Sequence, residues 1–235
     1  MEPPLSRQVE ARADVLVQST LEALHQDPFW EARDGAERAR LLGTEDVRAH
    51  VRHLVQSLDA HQPSIMESYV HSLRAMRMSR GLSTLHLDTH FLRLSAALEA
   101  QGWGPGTEPH EHVRVAREAL HYPSGLARRL QEDAPELSHA ATSRLRFYLT
   151  PEDLPRLEEE LRLQLSYLAD ALDEGRPEVM ADHVRWYVGF WPRRGFGLLA
   201  FTTVLGMLKA VLASRHPQAR LLLATAGVSW EETRS

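Results

Sequence analysis

The sequence contains no cysteine and a single lysine, Lys209. The first absence excludes disulfide scaffolds, thiolate metal centres and cysteine nucleophiles together. The second leaves the positive charge to arginine, a bias that codon usage in a GC-rich genome accounts for without any anion to recognise. Lys and Arg total 27 against 32 Asp and Glu, a formal charge of −5. That sign does not suit a duplex-binding module, so no nucleic-acid partner is expected. Runs of alternating β-branched and polar residues bounded by turn dipeptides are also missing, which argues against sheets. No Gly-x-Ser-x-Gly, phosphate-cradling glycine loop or His-Glu-x-x-His occurs, which weighs against hydrolase and kinase chemistry. Met1-Glu2-Pro3-Pro4 has no basic segment leading into an apolar one, so a cytoplasmic location is expected.

What is present is helical spacing, with 43% hydrophobic residues to supply a core. Leu161, Leu165, Leu168 and Leu172 recur at i, i+4, i+7 and i+11, between the acidic Glu158-Glu159-Glu160 and Gly175. Acidic residues suit the positive end of the helix dipole and glycine suits its C-terminus, so this helix is bounded by its own chemistry. The same reasoning predicts helices near 5–26, 45–60, 64–79, 83–101, 109–121, 136–148, 152–174, 178–191, 196–214 and 217–228. The expected fold is all-α.

Sliding the chain against itself reveals an ungapped echo at an offset of 114. Over 54–100 and 168–214 it aligns Leu54 with Leu168, Asp59 with Asp173, Pro63 with Pro177, Met66 with Met180, Val70 with Val184, Arg80-Gly81 with Arg194-Gly195, and Leu94 with Leu208. Leucine-rich helices align leucines by chance, but not proline, glycine and aspartate in the same register. Pro63 and Pro177 stand where a helix starts and the glycines where one stops. We therefore expect two diverged copies of a multi-helix unit packed as one helical bundle: 1–101, a loop at 102–109 (Gly102-Trp103-Gly104-Pro105-Gly106), and 110–230. A second echo, Glu22-Ala23-Leu24-His25 and Glu118-Ala119-Leu120-His121, lies at an offset of 96, so an insertion is expected near Glu132–Arg146.

The copies differ in three places. His86, Asp88, His90 and Arg93 of the first face Ala200, Thr202, Val204 and Met207 of the second. The run from Phe196 to Leu208 is apolar almost all round, yet it falls short of the ~20 residues a bilayer demands and Lys209 follows it, so burial or a homodimer seam is expected rather than a membrane span. Glu67 and His71, with His86 and His90, form two i,i+4 pairs on consecutive helices, a candidate site for iron or zinc; exposed histidines on a wet face are the plainer reading. The Glu-x-x-His segments Glu22/His25, Glu118/His121 and Glu136/His139 have the spacing of di-iron carboxylate bundles, although the first two end their helices. Finally, His183, Trp186, Tyr187, Phe190 and Trp191 place five rings in nine residues, followed by Arg193 and Arg194. Such a wall can bind a tetrapyrrole, a flavin or an acyl chain with an arginine on its carboxylate, or it can fill a junction between the copies.

The segments Tyr167-Leu168-Ala169-Asp170-Ala171-Leu172, Gly175-Arg176-Pro177, His183-Val184-Arg185-Trp186 and Arg194-Gly195 resemble helical sensory domains of bacterial regulators. Examples are the non-haem globin-like input domains of stressosome proteins and the helical bundles that precede cobalamin-binding domains. The cobalamin signature Asp-x-His-x-x-Gly is incomplete, because Arg93 stands where Asp88-Thr89-His90 would call for glycine. The ring wall and the apolar third helix of the second copy lead us to expect a non-enzymatic regulatory or sensory protein, taking a small hydrophobic or planar ligand or a protein partner at the junction of the copies. A metal-dependent oxidative enzyme and a homodimeric scaffold are the alternatives.

Overall fold

The computed structural model describes residues 3–232, with side chains as far as residue 226. Twelve α-helices and no strand occur among the described residues, as the missing strand signals imply. They form two compact units. The first runs as far as Ser79 and resumes over His86–His121; the second takes Arg80–Leu85 and the chain from Tyr122 onward.

The first unit contains α1 (Leu5–Ala11), α2 (Ala13–Leu24), α3 (Pro28–Asp34), α4 (Ala36–Asp59), α5 (Ser64–Ser79), most of α6 (Thr84–Ala100) and α7 (Glu108–Glu118). Helix α4 is its axis, in contact with α1, α2, α3, α5 and α7. Its buried Val47, Val51, Leu54 and Leu58 keep helical spacing, so one face of α4 can meet several partners. The second unit contains α8 (Gly125–Leu145), α9 (Asp153–Glu174), α10 (Glu178–Phe190), α11 (Phe201–Leu212) and α12 (Pro217–Glu232). Here α9 is the axis, packed on α8, α10 and α12.

Several boundaries differ from expectation for identifiable reasons. Helix α3 lies between the helices expected at 5–26 and 45–60, where Asp27-Pro28 has the composition of a helix end. It is also a start: Pro28 occupies the first turn and Asp27 Oδ1 accepts from Phe29 N at 2.8 Å. Helix α4 begins at Ala36 rather than 45, because its first turns bury only Ala39 and so show no apolar period. Pro135, which looks like a helix start, lies inside α8. The expected helix over 196–214 is shortened to α11, because Gly195 and Gly197 adopt positive φ of 75° and 59° before it. Its surface is not apolar all round either. Phe201, Val204, Leu205, Leu208 and Leu212 are buried, while Thr202, Thr203, Gly206 and Ala210 are exposed. Val204 therefore packs inside the second unit and is no outward seam for a homodimer.

The loop at 102–109 does not separate the units. Trp103 is buried in the first unit's core together with Val113, Ala116 and Leu120, and α7 packs on α4 and α5. The chain passes to the second unit after His121, so 110–121 belongs with the first.

The segment Arg80–Leu85 is fixed in the second unit by α9. The first amides of a helix lack intrahelical partners, and those of α6 are satisfied from another helix. Thr84 N donates to Asp170 Oδ2 at 2.8 Å, Thr84 Oγ1 to Asp170 Oδ1 at 2.5 Å, and Leu85 N to Ser166 Oγ at 3.0 Å. Tyr122 Oη–H donates to Asp170 Oδ1 at 2.8 Å, and Tyr167 Oη–H donates to Gly81 O at 2.9 Å. Asp170 is wholly buried, and its carboxylate sits at the positive end of the α6 dipole. Asp170→Ala, which strands three donors, is expected to cost about 3 kcal/mol or more. Asp170→Asn, which still accepts, is expected to cost less. Urea unfolding midpoints of the two variants check this; equal, small losses would contradict the cap.

Candidate functional site

Each unit takes polar side chains into its interior at corresponding places along its axial helix. In the first unit His50 on α4 is 0% exposed; its Nδ1 lies 2.7 Å from Tyr69 Oη on α5, and its Nε2 lies 3.3 Å from His90 Nδ1 on α6. Two arrangements of protons satisfy the chain: Tyr69 Oη–H donates to His50 Nδ1 and His50 Nε2–H to His90 Nδ1, or His90 Nδ1–H donates to His50 Nε2 and His50 Nδ1–H to Tyr69 Oη. His53 stacks on Tyr69, with centroids 3.7 Å apart and planes at 11°. One turn before His50, Asp46 pairs with the buried Arg77.

In the second unit Gln164 on α9 bonds through Oε1 to His183 Nε2 on α10 at 2.8 Å. Tyr167 stacks on His183 at 3.5 Å and 17°. Glu160, 3% exposed, accepts from Tyr187 Oη–H and pairs with Arg194. The two interiors are in register: His50 and Gln164, Tyr69 and His183, His53 and Tyr167, and Asp46 and Glu160 all stand 114 positions apart.

The electrostatics diverge. Burial lowers the pKa of His50 to about 3, assisted by the Arg77 and His53 charges. Burial also pushes His90 well below the usual range, with His50, Arg77, His86 and His25 adding in the same direction. Both imidazoles are neutral in the folded protein. Burial raises Tyr69 far above the ordinary phenol, which keeps its proton available to His50.

The ring wall of α10 turns largely inward. Tyr187 lies 5.2 Å from Phe201, Trp191 lies 4.9 Å from Phe196, and Trp191 Nε1 donates to Leu199 O at 2.6 Å. Trp186 is half-buried and stacked on Phe190 at 5.0 Å, while Arg193 is exposed. Arg194 is committed to Glu160, so the guanidinium expected to hold a ligand carboxylate already holds one of the chain's own.

The four residues expected to share a metal do not converge. Glu67 and His71 are exposed on α5, whereas His86 and His90 are buried. Among the described residues no group of three or more His, Asp or Glu side chains is placed to hold a metal ion. Of the Glu-x-x-His carboxylates, Glu118 pairs with Arg114 and Glu136 with Arg215. Sequence reasoning overlooked His50 and Tyr69, which lie on different helices and acquire meaning only when α4 and α5 pack. The signal was nevertheless there, since both keep the offset of 114 from a glutamine and a histidine. A cleft of about 620 Å³ beside α8 and the start of α9, lined by His139, Arg146, Leu154, Pro155, Glu158 and Arg162, was not anticipated either. Its charges partly satisfy one another, since Arg162 donates to Glu158 at 2.7 Å and His139 lies 3.2 Å from the same carboxylate.

Arg194→Met tests the inward reading of Glu160. It leaves a buried carboxylate facing only a phenol and is expected to cost about 3–5 kcal/mol, much of it restored when Glu160→Gln is added. A guanidinium reserved for a ligand would instead be lost from the unliganded protein at little cost, and thermal melts separate the two cases.

No helix among the described residues is long and apolar enough to cross a membrane. Compared with known proteins, the chain matches no family model, no curated protein and no solved structure.

Proposed function

We infer that this chain is a non-enzymatic regulatory protein of the sensory kind, built by duplication of one helical unit, in which the polar interior of the first unit has diverged to respond to a signal. The observation that carries the reading is the shared register of the two interiors. His50 with Tyr69 and Gln164 with His183 make the same helix-to-helix hydrogen bond at the same offset, each braced by a stacked ring. Retained geometry with altered chemistry is what divergence of a duplicated unit leaves when packing is preserved and one copy acquires a task.

The chemistry of each copy suggests how the work is divided. The second unit closes its interior with a carboxylate, a guanidinium and a phenol that are paired with one another. The first brings two imidazoles together edge-on, with centroids 5.5 Å apart and planes at 70°; imidazoles are the side chains whose protonation and ligation respond near neutrality. The resemblance to helical input domains points the same way. A small hydrophobic or planar molecule, or a protein partner, is the effector this reading implies. Trp186, half-buried and stacked on the buried Phe190, is the most exposed ring of the wall that could meet it.

The decisive measurement is the content and response of the purified full chain. The expected result is a small molecule released on denaturation, or a candidate planar compound that raises the melting temperature as RT ln(1 + [L]/Kd) requires. An absorption spectrum distinguishes a tetrapyrrole or flavin from a colourless ligand. A chain that releases nothing, whose melting no compound or pH change moves, and that turns over a substrate at its own centre would refute a sensory role.

A further inference from the structure

We propose that α3 is a proton-operated lid over the paired imidazoles of His50 and His90, so that the signal read by the first unit is acidification. This rests on the sensory reading above and names its stimulus and its moving part.

The geometry of the cover comes first. Helix α3 is seven residues long and lies between a proline start and a glycine stop. Pro28 begins it after Asp27, and Gly35 ends it at φ 79° and ψ 152°, a conformation that favours glycine. A Cβ at Gly35 would meet nothing within 4 Å, so this glycine serves backbone freedom and not close packing. Two consecutive rings of α3 lie on the imidazoles of α6. Phe29 stacks on His86 with centroids 4.3 Å apart and planes at 28°. Trp30 meets His86 edge-on at 5.5 Å and His90 at 5.2 Å. Phe29 is 2% exposed and Trp30 half-buried, which makes α3 a thin layer between His90 and water.

The electrostatics under the cover decide what a proton does. The groups around the pair are Asp46, His53 and Arg77 with Tyr69, from α4 and α5; His86 on α6; and His25 at the end of α2, which also feels Arg40 and Glu31. Of the carboxylates among these groups, Asp46 acts on Tyr69 and is matched by Arg77, and Glu31 acts on His25. The charged groups that act on His50 and His90 themselves are Arg77 and other imidazoles, so a proton on either ring is opposed. In either direction the Tyr69–His50–His90 relay needs one neutral imidazole to accept where His50 Nε2 meets His90 Nδ1, so it cannot survive protonation of both rings. Protonation therefore favours whichever state lets water reach the rings, and the smallest movement that does so is α3 turning about Gly35.

The sign follows from linkage. Both imidazoles titrate lower in the closed state than the ordinary value of about 6.5, so the closed state is complete above that pH and is lost as pH falls below it. Each histidine that takes up a proton on opening makes opening about tenfold more favourable per pH unit, and two make it about a hundredfold.

The test uses the full chain labelled with 5-fluorotryptophan, the Trp30 resonance being assigned by its loss in Trp30→Phe. Between pH 6 and 5 the open-to-closed ratio at Trp30 is expected to rise about a hundredfold, with Trp186 and Trp191 unchanged. His90→Val and His50→Gln place in the first unit the residues that stand at the same offset in the second, Val204 and Gln164. Each is expected to reduce the dependence to about tenfold, and the pair to abolish it. Phe29→Ala, outside the titrating cluster, is expected to raise the ratio at every pH while keeping its slope. A slope that survives the double substitution overturns the proposal while leaving the sensory reading in place. A Trp30 change that occurs only together with Trp186 and Trp191 overturns it as well, since the event is then global unfolding. The sensory reading itself fails separately, by the absence of any bound or stabilising effector and of any response to pH.

Discussion

A polar side chain carried into a helix-packed interior must find a partner there, because leaving one unpaired costs more than most single apolar contacts contribute. On the axial helices α4 and α9 the ring nitrogens of His50, the carboxylate of Glu160 and the Oε1 of Gln164 obey this constraint, while Gln164 Nε2 has no hydrogen-bond partner. His50 can be buried only if α5 brings Tyr69 and α6 brings His90 to its two ring nitrogens. Gln164 can be buried only if α10 delivers His183, and Glu160 only if Tyr187 and Arg194 arrive together. Apolar packing tolerates a shifted register, whereas a hydrogen bond of 2.7–2.8 Å does not. These contacts fix how far each neighbouring helix is advanced along its axis, and so where Pro63 and Pro177 must start the next one.

The same constraint sets the limits of the chemistry available to each unit. In the second unit the buried carboxylate of Glu160 is paired with the Arg194 guanidinium and bonded to the Tyr187 phenol. Two buried imidazoles acted on by Arg77 and other imidazoles have two states separated by a proton, and burial makes the charged one expensive. Stability at neutral pH and sensitivity below it are thus one property seen from two sides. The device needs no dedicated sensing residue beyond those that hold α4, α5 and α6 in register.

The all-α class was legible because helical periodicity, Pro starts and Gly stops are local signals. So were α9 and α10, whose leucine rows and terminal residues agree. Helix α3 was not legible, since Asp27-Pro28 carries the marks of an end and of a beginning, and only the bond from Phe29 N to Asp27 decides between them. The division of the chain was misplaced for a similar reason. Gly102 to Gly106 has the composition of a linker, but composition is silent on Trp103, which ties that loop into the first unit's core. The expected metal ligands were chosen by spacing along one helix at a time. Spacing puts Glu67 beside His71, but it does not say which face of α5 is inward, and Met66, Val70 and Leu73 take that face. His50 lay outside the compared segments, four residues before they began. A longer comparison would have met His50 opposite Gln164, a mismatch by residue type that the packing turns into an equivalence.

The stacked pairs carry that equivalence one step further. In the first unit the imidazole belongs to the axial helix, as His53, and the phenol to its neighbour, as Tyr69; in the second the phenol is axial, as Tyr167, and the imidazole is His183. The exchange preserves a planar stack, so packing is indifferent to which helix supplies which ring. Proton chemistry is not indifferent. With the phenol on α5, the axial helix is left to present His50 between Tyr69 and a second imidazole, and a relay across three helices results. With the imidazole on α10, its Nε2 is taken by Gln164, an amide that cannot pass a proton on. A packing-neutral exchange of two rings therefore leaves one unit able to share a proton among helices and the other unable to, and it locates the difference between the units in three side chains of the first: His50, Tyr69 and His90.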